Sequence, residues 1–220
     1  MTHVLTCPAP NHTQIGETPT VFVVDDDARV RESLASLVLS AGWHPRTTPS
    51  AEEFLATQPT LAPSCLVTEL QLPGLNGLEL QRLVLDRAEM PVIFLSSCTD
   101  VRSSVQAMKA GALEYLIKPY VGDLLLHTLR EALQRSQAAL RLDSEMRALR
   151  NSYESLTMRE RQVMALVVLG MLNKLAAAEL GISENTVKAH RGQVMRKMKA
   201  RSLPSLVAMA DRLGLRRPAH

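Results

Sequence analysis

Two domains of different class are predicted by this chain. The first is α/β with a five-stranded parallel sheet, and the second is all-α with four short helices, joined to the first by a long helix. Three observations carry the prediction. Between Thr20 and Pro119, short apolar runs alternate with amphipathic stretches, the pattern of a parallel sheet covered by helices on both faces. From Val121 onward no strand-like run occurs, and apolar residues recur at helical spacing. The charge also changes sign: residues 1–150 carry 13 Lys+Arg against 17 Asp+Glu, whereas residues 151–220 carry 12 against 5. An acidic half joined to a basic half suggests two jobs, the basic one with nucleic acid.

The elements run in order along the chain. Residues 1–19 mix Pro, Thr, Asn and Gln without periodicity and read as a flexible tail. "TVFVVDDD" is a buried strand ending in three acids. The helix "ARVRESLASLVLSAG" comes next, with Val30, Leu34, Leu37, Val38 and Ala41 on one stripe and Gly42 as its stop. "WHPRTTPS" is a weak second strand and "AEEFLATQ" a short helix. "SCLVTE" and "PVIFLSS" are the third and fourth strands, each followed by a helix, "NGLELQRLVLDRAE" and "DVRSSVQAMKAGA". "EYLIKP" is the fifth strand.

The long helix then shows Leu126, Leu129, Leu133 and Leu140 at 3-4 spacing, with Ser136 interrupting. Leu142, Met146, Leu149, Tyr153 and Leu156 repeat the spacing in a shifted phase. Such a stripe could pair with a second chain or pack on its own domain. Thr157 and Glu160 form a capping box ahead of the next helix, and Gly170 and Gly181 punctuate the helical segments after it. Ser183 caps a helix within "ISENTVKAHRGQVMRKMKA", and a last helix runs from about Leu203 to Leu213 with Pro204 in its first turn. A tight Gly-containing turn between the second and third of these helices spells helix-turn-helix.

Composition narrows the function classes. Hydrophobic content of 46% and charged content of 21% are ordinary for a globular protein, and aromatics at 3% leave Leu, Val, Ala and Met to fill the core. No apolar run reaches membrane-spanning length, and the first residues lack a signal pattern. The three scattered cysteines, Cys7, Cys65 and Cys98, read as reduced, with Cys65 and Cys98 as small core residues. The expected setting is cytoplasmic, with no membrane and no organic cofactor.

Polar residues cluster where the strands end: Asp25, Asp26, Glu69, Ser96 and Lys118. In open parallel sheets, ligands bind outside the carboxyl ends of the strands, and the first and third strands are neighbours in the flavodoxin-like order. Three carboxylates converging there need a cation, and hard oxygen ligands suit Mg²⁺. A lysine and a hydroxyl facing a carboxylate are what a phosphoryl group needs for neutralisation and hydrogen bonding. The plainer alternative is that these acids cap helices along a solvated sheet edge.

With "VVDDD", "LPGLNGLEL", "FLSS" and "EYLIKPY" in this order, the first domain, residues 20–135, resembles the receiver domain of two-component response regulators. Residues 156–220 resemble a LuxR-type helix-turn-helix domain, and residues 136–155 a helical linker. The whole resembles FixJ- and NarL-like regulators. The resemblance implies Asp25 and Asp26 as metal-binding acids, the Gln71 carbonyl as a further ligand, Ser96 as switch hydroxyl, Tyr115 as rotating aromatic and Lys118 as the conserved-type lysine. It places Glu69 at the phosphoacceptor position, where the family has aspartate. The extra methylene moves the carboxylate by roughly 1.5 Å, one C–C bond. Displacements on the order of 1 Å can cost about 100-fold in covalent transfer. The longer carboxylate could instead reach Lys118 or Ser96 and imitate part of a phosphorylated state, with one charge where a phosphoryl group adds about −1.5 to −2. Phosphorylation is therefore expected to be absent or inefficient.

The second helix of a helix-turn-helix enters the major groove. On the helix after Ser183, the residues Val187, Val194 and Met198 form a buried stripe. The opposite face carries Asn185, Lys188, Ala189, Gly192 and Arg196, with Lys188 suited to a guanine and Ala189 and Gly192 small enough for close approach. Lys174, Thr186, His190, Arg191, Arg196, Lys197 and Lys199 are candidate phosphate contacts, with core packing as the alternative for His190.

The leading expectation is a non-enzymatic, DNA-binding transcriptional regulator, a homodimer on double-stranded DNA with RNA polymerase as a further partner. Its atypical receiver would be regulated without efficient phosphorylation. The alternatives are a conventional regulator driven by a sensor histidine kinase despite Glu69, a Mg²⁺-dependent phosphohydrolase, and a protein-interaction adaptor that does not bind DNA.

Overall fold

The computed structural model describes residues 18–58, 60–84 and 89–215, which form two compact units divided between Leu140 and Arg141. Most of the predicted N-terminal tail, Cys7 and the last five residues lie outside the described residues.

In the first unit five strands form one parallel sheet: β1 (Thr20–Val24), β2 (His44–Thr48), β3 (Ser64–Thr68), β4 (Val92–Ser96) and β5 (Glu114–Ile117), in the order β2-β1-β3-β4-β5. Strands β1, β3 and β4 are buried along their whole length, as central strands covered on both faces must be. The intervening helices are α1 (Ala28–Ser40), α2 (Ala51–Leu55), α3 (Gly77–Leu83) and α4 (Val101–Lys109). Side chains alternate across the sheet. Phe22, Val24, Leu66 and Phe94 pack on one face with Leu80 and Ala107, and Val21, Val23, Cys65, Val67, Ile93 and Leu95 on the other with Leu34 and Val38.

Helix α5 runs unbroken from Gly122 to Glu154. Its first half buries Leu125, Leu129, Ala132, Leu133 and Ser136. The stripe thus passes through Leu125, while the predicted Leu126 is only half-buried. Ser136, read from sequence as an interruption, is a buried polar link: its hydroxyl accepts from the Ser64 N–H at 2.8 Å and donates to the Glu89 carbonyl. The core itself selects a serine there because the start of β3 brings a backbone donor to that point.

The second unit contains α6 (Met158–Val168), α7 (Asn173–Leu180), α8 (Glu184–Lys197) and α9 (Leu203–Arg212). Met146, Leu149, Tyr153 and Leu156, from the end of α5 and the turn beyond, pack into this unit's core with Val163, Met164, Val187 and Val194. Of the two uses open to that stripe, packing on its own domain is the one these residues show. Leu142 is exposed.

Candidate functional site: an acidic pocket and a basic helix

The sheet builds the pocket by continuing its hydrogen bonds one residue past each strand. The Glu69 N–H donates to the Val24 carbonyl at 2.9 Å, which sets Glu69 beside Asp25, and the Lys118 N–H donates to the Ser96 carbonyl at 2.9 Å. Four strand ends thereby deliver Asp25, Glu69, Ser96 and Lys118 to one place. The Lys118–Pro119 peptide bond is cis.

The Lys118 ammonium bridges two carboxylates, lying 2.6 Å from Asp25 Oδ2 and 2.9 Å from Glu69 Oε2. Glu69 Oε1 accepts from the Ser96 hydroxyl and from the Leu70 N–H at 2.7 Å, and Oε2 accepts from the Ser97 N–H at 3.3 Å. The glutamate side chain therefore reaches both the hydroxyl and the lysine. Burial pushes the Glu69 carboxyl up, but hydrogen bonds from Ser96 and Lys118, together with the lysine charge, outweigh it and leave it below the ordinary range. Burial likewise disfavours the charged Lys118, and its two carboxylate partners more than offset this, so its pKa is raised.

Other predicted residues stand further out. Asp26 and Gln71 are exposed, and the Gln71 N–H lies 3.4 Å from Glu69 Oε1. Tyr115 stacks on Phe94 with ring centres 5.9 Å apart and donates its hydroxyl to the Cys98 carbonyl at 2.9 Å; burial pushes its pKa up.

Two supports escaped the sequence reading. Arg31 donates to the Asp25 carbonyl at 2.7 Å and the Asp26 carbonyl at 3.0 Å, fixing the acidic loop from the first turns of α1. Gly77 is needed because a Cβ there would lie 2.3 Å from the Glu69 carbonyl and 2.9 Å from the Phe94 ring. The "NG" in the sequence signals only a turn; the close approach behind it is a tertiary fact. Asn76 and Glu79 complete a capping box at that helix start.

In the second unit, Gly181 adopts a left-handed conformation with φ 64° and turns the chain from α7 into α8, where Ser183 caps by accepting from the Thr186 N–H. Val187, Val194 and Met198 are buried as predicted. Asn185, Thr186, Lys188, Ala189, Gly192, Arg196, Lys199 and, on α7, Lys174 are exposed. Three other predicted contacts are half-buried: His190, Arg191 and Lys197. Arg191 donates to Asn173 Oδ1 at 3.1 Å. Lys197 is turned toward its own domain, with its ammonium 2.6 Å from the buried Glu160 and 3.1 Å from the Ser155 carbonyl. The hydrogen bond from Lys197 holds the Glu160 carboxyl below its usual range, helped by the Thr157 N–H. No spacing rule predicts this pair, because its partners are 37 residues apart.

Comparisons with known proteins divide the chain in the same way. Residues 21–130 match the response regulator receiver domain, and residues 154–210 match the bacterial regulatory proteins of the luxR family. The chain is 40% identical over 205 residues to nodulation protein W of Bradyrhizobium diazoefficiens, covering 93% of this chain and 90% of that one. It is 42% identical over 191 residues to the transcriptional regulatory protein FixJ of Azorhizobium caulinodans, covering 86% and 90%. Among solved structures, the response regulator StyR aligns with a TM-score of 0.81 at 40% identity over 89% of this chain and 99% of that one. Full-length FixJ from B. japonicum aligns at 0.53 and 35% identity, over 92% and 100%.

Proposed function

Since the chain belongs to the transcriptional response regulators of the FixJ and LuxR type, we propose that its receiver is governed without efficient phosphorylation, with Glu69 at the phosphoacceptor position. The protein is a DNA-binding transcriptional response regulator. The domain pair implies DNA and a sensor kinase as partners, and receiver domains bind Mg²⁺ in their acidic pocket. The observation that carries the proposal is the state of the Glu69 carboxylate. Both oxygens are occupied by protein donors, Ser96 and Leu70 on one, Lys118 and Ser97 on the other. A carboxylate that must attack phosphorus needs a free, aligned oxygen.

In this reading Asp25, Lys118, Ser96 and Tyr115 form a pocket around a fixed glutamate, and the protein turns over no substrate. Lys188, Asn185, Ala189 and Gly192 face base edges, and Lys174, Thr186, Arg196 and Lys199 face phosphates, as their exposure supports. Among the described residues no helix is long and apolar enough to cross a membrane; the regulator works in the cytoplasm, beside its DNA. The functional form is a homodimer on double-stranded DNA that also meets RNA polymerase. Exposed Val101, Val105 and Met108 on α4, with Ile117, Val121 and Leu124, support a receiver-to-receiver contact.

The test is mass spectrometry after treatment with a small phosphodonor, with Glu69→Asp beside the natural protein. The expected result is no phosphate on Glu69 and a labelled aspartate in the variant. Stoichiometric phosphate on Glu69 would instead establish the conventional, kinase-driven reading.

A further inference from the structure

The pocket that a receiver domain uses for a divalent cation is filled from within. Asp25 and Glu69 offer four carboxylate oxygens, and each accepts a hydrogen bond from the protein. Asp25 Oδ1 takes the Asp27 N–H at 3.0 Å, and Oδ2 takes the Lys118 ammonium at 2.6 Å. Glu69 Oε1 takes the Ser96 hydroxyl and the Leu70 N–H, and Oε2 takes Lys118 and the Ser97 N–H. Asp26 is exposed. Among the described residues no group of three His, Cys, Asp or Glu side chains could hold a metal ion. As arranged, these residues do not fit Mg²⁺.

Electrostatics gives the reason. Two neighbouring buried carboxylates repel unless a positive charge lies between them. Mg²⁺ would answer that need with a near-octahedral oxygen shell at about 2.0–2.1 Å, several of its ligands being water. Lys118 answers it with directed N–H donors on one oxygen of each acid. A metal drawing on Asp25 Oδ2 and Glu69 Oε2 would stand where the ammonium stands, so the two cations exclude each other. To bind through those two oxygens, the ion must expel Lys118.

We propose that Lys118 is the resident cation of this pocket and that the receiver holds its arrangement without a divalent metal. The proposal rests on Glu69 standing at the acceptor position, and it adds that the pocket has lost its metal as well as its phosphoryl chemistry. Mn²⁺ titration of the full chain, followed by water-proton relaxation, tests it on the natural protein, Asp25→Asn, Lys118→Met and the Asp25→Asn/Lys118→Met double variant. The natural protein should give the relaxation of free ion throughout the millimolar range. Lys118→Met should gain one saturable site, and the double variant should lose it. A saturable site in the natural protein that Asp25→Asn abolishes overturns the proposal, as does a folded Lys118→Met protein that binds no ion. If Lys118→Met does not fold, the natural protein and Asp25→Asn decide alone. Phosphate on Glu69 without Mn²⁺ binding would sink only the phosphorylation reading; Mn²⁺ binding without phosphate would sink only this one.

Discussion

Replacing Lys118 by methionine removes the positive charge from between two acids that have almost no access to water. The side chains of Asp25 and Glu69 are 3% and 8% exposed, and that of Lys118 is 16% exposed. Breaking a buried pair by removing one partner typically costs about 3–5 kcal/mol, because an uncompensated charge stays behind. Here Asp25 keeps the Asp27 N–H, and Glu69 keeps Ser96, Leu70 and Ser97. The loss should therefore fall near about 3 kcal/mol, the lower end of that range. Urea unfolding read by tryptophan fluorescence measures it in the right domain, since the chain has one tryptophan and the half-buried Trp43 packs against the first unit's core. The dependence on pH is a second signature. Glu69 is held below its ordinary 4.5, so its contribution is present above 4.5 and lost as pH falls through the lower folded value. Lys118 is raised above its ordinary 10.5, so its contribution is present below 10.5 and lost as pH rises through the higher folded value. In the natural protein the contribution of this pair should be present between 4.5 and 10.5 and be lost on either side. A loss below about 1 kcal/mol, the worth of an exposed ion pair, would refute the bridging role of Lys118.

Other perturbations separate pocket from frame and fold from DNA contact. Gly77→Ala puts a methyl 2.3 Å from the Glu69 carbonyl; overpacking of this kind costs about 1–3 kcal/mol, read as a lower midpoint in the same fluorescence assay. Lys188→Ala should leave the melting temperature unchanged, since its pair with Glu184 is solvent-exposed. The same variant should weaken binding to a cognate site by about 1–3 kcal/mol, measured by fluorescence anisotropy. Lys197→Ala should do the reverse, lowering the melting temperature of the second unit by stranding Glu160, with little change in DNA affinity once the protein is folded. If each of two protomers makes about four phosphate contacts, log affinity should fall with log salt at a slope near −7. A slope near zero would remove the basic face from the interface.

The architecture was open to reading because its signals are local. Uninterrupted apolar runs in β1, β3 and β4 follow from burial on both faces, and alternation with amphipathic helices fixes a parallel sheet. Ser50, Asn76, Thr157, Ser183 and Ser202 each cap a helix through an oxygen that accepts from a nearby N–H. The pocket residues were visible for the same reason: a strand that ends in an acid announces its own sheet edge.

The sequence by itself determined an inventory: a parallel α/β domain, a helix-turn-helix, acids and a lysine at strand ends, and a basic helix face. The contact of Glu69 with Lys118 or Ser96 was open to expectation from the motif, but tertiary structure decided that Lys118 also takes Asp25 and that Lys197 takes Glu160. Lys118 meets Asp25 across 93 residues and Glu69 across 49, Lys197 meets Glu160 across 37, and Ser136 meets Ser64 across 72. Charged groups pair with whatever the folded chain brings within a few ångströms. Periodicity reports which face a residue takes, but not which distant partner waits there.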